Sequence, residues 1–367
     1  MKILQIISSL GSGGAERLVT QLASLLTNDD VQCDVLTLTD VNSVYLTPLR
    51  ESHIEVLIAP YRNRYDFRML FFIKRVIRMG NYDIIHAHTF PAIYWTSFAA
   101  YCIKSPIKFI MTEHNTYNRR RDVALLLPIE KLVYHRYNRV ISISEETQKA
   151  LMQWLKPKSK SKYLTIENGI DVEIFKEALP LSRASLGLPE TSFLLGMIGS
   201  FTIQKNHKAI INAMQLLPKN IHIVFAGEGP LLESSITLAE TLKVKERTHF
   251  LGFRRDVERV MKTVDMVVIP SLWEGFGLVA AEAMACGKPI AASDVLGLRE
   301  VIRDCGILFD PANPKDIAEN ISVLYNNRDL FYRCANKAIV RVNDFSIGKM
   351  VGCYIEVNRS LCSDACI

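Results

Sequence analysis

Two glutamates eight residues apart, Glu274 and Glu282, are the strongest chemical signal in this 367-residue chain. They lie in Ser271-Leu272-Trp273-Glu274-Gly275-Phe276-Gly277-Leu278-Val279-Ala280-Ala281-Glu282-Ala283-Met284-Ala285-Cys286-Gly287-Lys288-Pro289. The run Val264–Ile269 before them reads as a buried strand of a parallel sheet. The alanine-rich run after them reads as a helix that stops at Gly287, Lys288 and Pro289. A helix start after a glycine loop presents unpaired backbone N–H groups and a partial positive charge, and both suit a phosphate. Glu274 lies in that loop and Glu282 about two turns into the helix. Acids on either side of such a helix start fit a ligand with hydroxyls on both sides of its phosphates. Paired glutamates on a helix are more often solvated surface charges. These sit among small residues at the carboxyl end of a strand, where open α/β sheets bind their ligands.

The segment closely resembles the Glu-x7-Glu signature of the family 4 retaining glycosyltransferases. The resemblance is strongest over residues 193–303 and moderate over 1–20 and 83–117. It implies the GT-B fold, an α/β architecture of two Rossmann-like parallel-sheet domains facing a cleft. It also implies a donor that is a nucleotide-sugar, and a UDP-sugar first among these. Glu282 would hold the ribose hydroxyls and Glu274 would lie near the transferred sugar. The backbone of Gly275, Phe276, Gly277 and Leu278, with Lys205, would hold the diphosphate. The implied reaction moves a hexose or N-acetylhexosamine, with retention, to a saccharide or lipid-linked saccharide in cell-surface polysaccharide synthesis. A donor phosphate oxygen would take the acceptor proton, so no enzymic nucleophile is needed.

Other segments match less fully. Gly199-Ser200-Phe201-Thr202-Ile203-Gln204-Lys205 resembles the family's Gly-Arg-x4-Lys loop, with Ser200 in place of the arginine. Losing a cation where the leaving group gains charge costs transition-state stabilisation. Arg254 or Arg255 could share the load. Gly227 and Gly229, in Phe225-Ala226-Gly227-Glu228-Gly229-Pro230, would let backbone approach the base or ribose. Gly13 and Gly14 match a loop that touches donor phosphate or acceptor. Glu16 occupies the third glycine position of a dinucleotide fingerprint and so breaks it. Two histidine segments end first-half strands, His86-Ala87-His88 and Glu113-His114-Asn115. Family members carry a histidine where His114 falls, close to the transferred sugar. A single histidine is more often structural, and His88 and Glu113 are weaker, acceptor-side candidates. Glu113 either binds an acceptor hydroxyl or pairs with Arg119–Arg121; the sequence leaves both open.

No Asp-x-Asp motif and no His/Cys cluster at metal-ligand spacing occurs, so neither a metal nor another cofactor is expected. The rivals are a sugar-nucleotide epimerase of the same fold, a non-catalytic sugar-nucleotide binding protein, and a nicotinamide oxidoreductase, which the broken fingerprint disfavours.

The elements that must position these residues follow from periodicity. Short apolar runs alternate with helical patterns, as in parallel sheets covered on both faces. Strands are predicted near 2–7, 33–38, 54–58, 83–87, 107–112, 139–143 and 163–166. A second series runs over 193–198, 221–226, 248–251, 264–269, 289–292 and 307–309. The expected domains are 1–175 for the acceptor and 185–345 for the nucleotide-sugar, with a joint near 170–190. A last helix from about 346 would cross back onto the first domain. With 49% hydrophobic and 22% charged residues the chain reads as a globular protein. No apolar run is long enough to span a bilayer, and the first strand is too short for a signal peptide, so a cytoplasmic location is expected. The eight cysteines are expected as free thiols, with Cys33, Cys102 and Cys286 buried and Cys362 and Cys366 in an exposed tail.

The net charge of +6 belongs to the first half. Residues 1–170 hold 22 Lys and Arg against 15 Asp and Glu. The cations concentrate in Arg62, Arg64, Arg68, Lys74, Arg75 and Arg78, and again in Arg119–Arg121. The helix over 66–79 is both basic and apolar. Two readings stay open: a core-facing stripe with a solvated back, or a face resting on an anionic membrane. No base-stacking or nucleic-acid motif is present, so nucleic acid is not an expected partner.

Overall fold

The structure is a computed structural model, and it describes residues 1–11 and 13–363. Cys366 lies outside the described residues, as does Ser12 of the first glycine loop. Two compact units divide the chain: Met1–Asn168 with the segment from Gly348 onward, and Gly169–Ile347.

The first unit has seven parallel strands: β1 (Lys2–Ile7), β2 (Gln32–Thr37), β3 (Val56–Ile58), β4 (Ile84–His88), β5 (Lys108–Glu113), β6 (Arg139–Ser142) and β7 (Tyr163–Thr165). Their order is β3-β2-β1-β4-β5-β6-β7. The second unit has six: β8 (Phe193–Ile198), β9 (Ile221–Ala226), β10 (Thr248–Phe250), β11 (Met266–Ile269), β12 (Ile290–Ser293) and β13 (Gly306–Phe309), ordered β10-β9-β8-β11-β12-β13. Every predicted strand is present, with ends that match or differ by at most two residues. The continuous Val, Ile and Leu runs are legible because helices cover both faces of each sheet, leaving almost every residue of the inner strands buried.

The order matters for chemistry. In each sheet the chain winds outward one way, then returns to the centre and winds the other way. The reversal falls between β1 and β4 in the first unit and between β8 and β11 in the second. Loops leaving the carboxyl ends of those central strands diverge and open a crevice, the usual ligand position in such sheets.

Residues 170–190, expected as a joint, are packed into the second unit. Arg183 pairs with Asp265 at 3.0 Å, and Leu181 N donates to Thr263 Oγ1 at 2.8 Å. The last helix, Ile347–Ser363, carries Tyr354, which is fully buried against β5 through Thr112 (hydroxyl to hydroxyl, 3.2 Å). Two cysteine expectations are corrected. Cys102 is exposed because it caps the helix Ala92–Tyr101 instead of lying within it. Cys362 is partly buried, its Sγ 3.8 Å from Met1 Sδ. Cys33 and Cys286 are buried, and desolvation pushes both thiols up to about 12, so they stay protonated and inert.

Candidate functional site

In the second unit the loops after β8 and β11 bring together residues 69 apart in sequence. Lys205 Nζ donates to Glu274 Oε1 at 2.6 Å, and Ser271 Oγ donates to the same oxygen at 2.8 Å. The pair is largely buried, with side-chain exposures of 19% for Lys205 and 10% for Glu274. Gln204 reinforces the junction: its Nε2 donates to the carbonyl of Trp273, and its own carbonyl accepts from Leu272 N. Lys205 and Glu274 therefore form one charged unit beside the start of the helix Leu278–Ala285.

That helix begins at Gly277, whose φ of +86° a side chain would strain and whose missing Cβ leaves room for Leu298. Phe276 is buried, and Glu282 is 3% exposed among Ala280, Ala281 and Ala283. A solvated face charge is thereby excluded for Glu282. The Glu274-Gly275 turn rests on Gly297, at φ +87°, where an added Cβ would lie 2.7 Å from the Glu274 carbonyl. Gly297 was not singled out from sequence. Its signal was a lone glycine one strand later, with nothing to say which backbone approached it.

Gly227, Gly229 and Arg254, also expected at the donor, each have close neighbours within the chain. A Cβ on Gly227 would fall 2.0 Å from the Gly199 carbonyl oxygen, and one on Gly229 2.6 Å from that of Phe201. The space these glycines leave is filled by the chain's own β8 loop, stitched by Phe201 N to the Glu228 carbonyl at 2.9 Å. Arg254 makes a two-pronged pair with Asp256, at 2.9 and 2.7 Å, so its charge is already balanced. Ser200 and Arg255 are exposed, and Ser200 brings no cation to the loop. His207, two residues past Lys205, is buried and stacked on Phe201 at 3.8 Å. Both its ring nitrogens lack a hydrogen-bond partner, and desolvation lowers its pKa to about 3.

In the first unit Gly13 caps the helix Gly14–Leu26. Glu16 folds back over it, with Oε2 only 2.2 Å from where a Gly13 Cβ would stand, and accepts from Ser9 Oγ at 3.2 Å. The residue that broke the dinucleotide fingerprint thus puts its own carboxylate at this helix start. Burial raises the Glu16 pKa above the usual carboxylate value.

Alternation along β4 and β5 explains the histidines. Gln5 pairs in register with His86, and Thr112 with His88, so all four side chains share one sheet face with His114, two residues past Thr112. His88 Nδ1 meets His114 Nε2 at 3.0 Å, and His88 Nε2 meets Gln5 Oε1 at 2.7 Å. His86 Nε2 meets Thr112 Oγ1 at 2.8 Å. Desolvation lowers His86 to about 3, His114 to about 4 and His88 well below its ordinary value, so the cluster is neutral at pH 7. His88 is fully buried and His114 partly exposed.

Glu113 leaves the opposite face. Its Oε2 accepts from Arg121 at 3.1 Å and from Tyr134 at 2.6 Å. Of the two readings left open, the structure shows the ion pair. Arg120 is likewise inside, its Nε 3.0 Å from Glu130, which is fully buried and also bonded to the Tyr94 hydroxyl. The Arg119–Arg121 run is therefore not a basic surface: Arg119 is exposed, whereas its two neighbours neutralise buried acids. Among the described residues no group of three or more His, Cys, Asp or Glu is arranged to hold a metal.

Two family models match the chain. Glycosyltransferase Family 4 matches residues 12–174, and Glycosyl transferases group 1 matches 180–341. The chain belongs to glycosyltransferase family 4. A relative with 30% identity is the uncharacterized glycosyltransferase MJ1607 of Methanocaldococcus jannaschii, over 66% of each chain. The UDP-Gal:alpha-D-GlcNAc-diphosphoundecaprenol alpha-1,3-galactosyltransferase of Escherichia coli is 26% identical over 92% of this chain and 91% of its own. Anabaena Alr3699/HepE, solved in complex with UDP and glucose, superposes with a TM-score of 0.86 at 23% identity, over 98% of this chain and 100% of its own. The fold of this glycosyltransferase is GT-B, and the oxidoreductase reading is set aside.

Proposed function

We propose that this glycosyltransferase moves a hexose or N-acetylhexosamine from a UDP-sugar, with retention, to a saccharide or lipid-linked saccharide acceptor, without a metal. The observation that carries this is the Lys205–Glu274 pair beside the helix start at Leu278. The arriving diphosphate meets Lys205 and the first-turn N–H groups of that helix. As the glycosidic bond breaks, charge grows on the leaving phosphate oxygens, and a preformed cation and dipole stabilise it without reorganising. Glu274, held by Lys205 and Ser271, faces the sugar hydroxyls. Glu282 takes the ribose. With Ser200 neutral and Arg254 committed to Asp256, Lys205 and the backbone carry the diphosphate. A UDP-sugar fits the E. coli relative, whose name specifies UDP-Gal and a diphosphoundecaprenol-linked acceptor, and the Anabaena protein, solved with UDP.

The test is a donor screen by thermal shift with UDP-, GDP- and ADP-sugars, followed by product analysis. A rise in melting temperature with UDP-sugars, and nucleotide release that requires a saccharide acceptor, supports transfer. Interconverted donor in the absence of acceptor means an epimerase, and binding without turnover means a carrier. Either result overturns the proposal.

A lipid-linked acceptor calls for an approach to the membrane. The helix Arg68–Gly80 leaves Phe71, Arg75, Arg78 and Met79 exposed, with Phe67 before it. Arg62 and Arg64, in the segment just before the helix, are exposed as well. We place this face on an anionic lipid surface at the cytoplasmic side. Among the described residues no helix is long and apolar enough to cross a membrane. Co-sedimentation with phosphatidylglycerol vesicles that falls steeply as salt rises supports the assignment. Equal sedimentation with phosphatidylcholine, or none, overturns it.

A further inference from the structure

The hydrogen bonds around His114 fix more than its place. Gln5 Oε1 can only accept, so His88 must carry its proton on Nε2, the nitrogen 2.7 Å away. A neutral His88 then offers a bare Nδ1 toward His114. The 3.0 Å contact forms only if His114 carries its proton on Nε2. His114 Nδ1 is consequently left as a lone-pair acceptor, and no described residue donates to it.

Two features lock this direction. Gln5 is completely buried in β1, where its Nε2 has no hydrogen-bond partner and its Oε1 faces His88. Its carbonyl oxygen is thus directed at the histidines. The rings are also crowded: His86 and His88 pack tilted with centroids 4.0 Å apart, and His88 and His114 with centroids 5.3 Å apart. A second proton on any one ring would place a charge away from water among neutral imidazoles, and protons on two rings would bring like charges together. Glu113, adjacent in sequence, is the acid that counters this, and its own charge is engaged by Arg121 and Tyr134.

We propose that Gln5 and His88 are positioning residues that hold His114 in the tautomer with the proton on Nε2, so that Nδ1 accepts a hydrogen bond from a hydroxyl of the transferred sugar. This rests on the reading that His114 lies at the sugar, yet its first test does not. Long-range proton–nitrogen NMR on the full chain labelled at histidine, with His114 assigned from the spectrum of His114→Ala, reports each ring nitrogen at pH 7. The expected result is a protonated Nε2 and a bare Nδ1. The reverse pattern, or two protonated nitrogens, overturns the proposal.

Two substitutions separate positioning from packing. Gln5→Met removes the acceptor while suiting an apolar strand. Gln5→Glu keeps the acceptor at the cost of a buried charge. If Gln5 merely packs, Met is tolerated and Glu is not. If it orients the relay, Gln5→Met scrambles the His114 tautomer and lowers turnover about tenfold, the value of one hydrogen bond, whereas Gln5→Glu preserves both. Turnover is read as UDP release from UDP-galactose or UDP-glucose, whichever the donor screen returns. An active His114→Ala variant would refute the sugar contact while leaving the tautomer result standing. An inactive one together with a reversed tautomer would do the opposite.

Discussion

Lys205→Ala is the variant in which stability and binding should separate. The Lys205–Glu274 pair is neither a surface bridge nor a fully enclosed one. Exposed pairs contribute about 0–1 kcal/mol, and breaking a fully buried pair costs about 3–5 kcal/mol. With 10–19% of each side chain exposed, the cost of removing the lysine falls between, at about 2 kcal/mol. For a unit of this size that lowers the melting temperature by about 4–8 °C. If Lys205 also touches the diphosphate, UDP affinity falls by about 1.5–3 kcal/mol, or about 10- to 150-fold. The double variant Lys205→Ala, Glu274→Gln distinguishes the two effects. A glutamine keeps the Ser271 hydrogen bond and carries no charge, so stability should largely return, while the lost affinity should not. Thermal unfolding and calorimetric titration with UDP read the two quantities on the same samples. If the double variant regained wild-type affinity, Lys205 would be acting through Glu274 and the diphosphate assignment would fail. An unchanged melting temperature in the single variant would mean the pair contributes nothing in solution.

Glu282→Ala should weaken UDP binding by about 1.5–3 kcal/mol, since a buried acid loses its place on the ribose hydroxyls; unchanged affinity removes that role. A chelator such as EDTA should leave the transfer rate unaltered, and a rate restored only by added divalent metal would contradict the metal-free proposal. Acid should destabilise the chain between about pH 6.5 and 3. There the unfolded state takes up protons that native His86, His114 and His207, lowered to about 3, 4 and 3, refuse. Stability in that window therefore falls as pH falls. His207→Phe should keep the stack on Phe201, discard two desolvated nitrogens, raise the melting temperature at pH 7 and flatten the acid limb by up to about 1.4 kcal/mol per pH unit. An acid limb as steep as wild type would show that His207 takes up its proton while folded.

How much was legible in the sequence depends on what each feature needed from other parts of the chain. The strands needed nothing: a parallel sheet buried on both faces leaves an unbroken apolar run wherever it passes. Lys205 and Glu274 were legible singly, through loop motifs, but not as a pair. Their contact follows from β11 returning to lie beside β8, a fact of strand order that neither motif contains. The arginine run was legible only in part for the same reason: a pair with Glu113 was one of two open readings, and Glu130 was not foreseen. Composition places cations on a surface by default, and Glu113 and Glu130, which draw Arg121 and Arg120 inward, sit on other elements. Gln5 was visible as a polar residue inside an apolar strand, with no sign of which residue it served until β1 and β4 were set in register. Gly227 and Gly229 are the sharpest case. Their sequence context said that something comes close and suggested a nucleotide. The distances of 2.0 and 2.6 Å to loop carbonyls say that the close neighbour is the protein's own backbone. A glycine requirement thus identifies a steric boundary without naming what lies across it. In this glycosyltransferase those two glycines let the loop that carries Lys205 pack closely against the turn after β9.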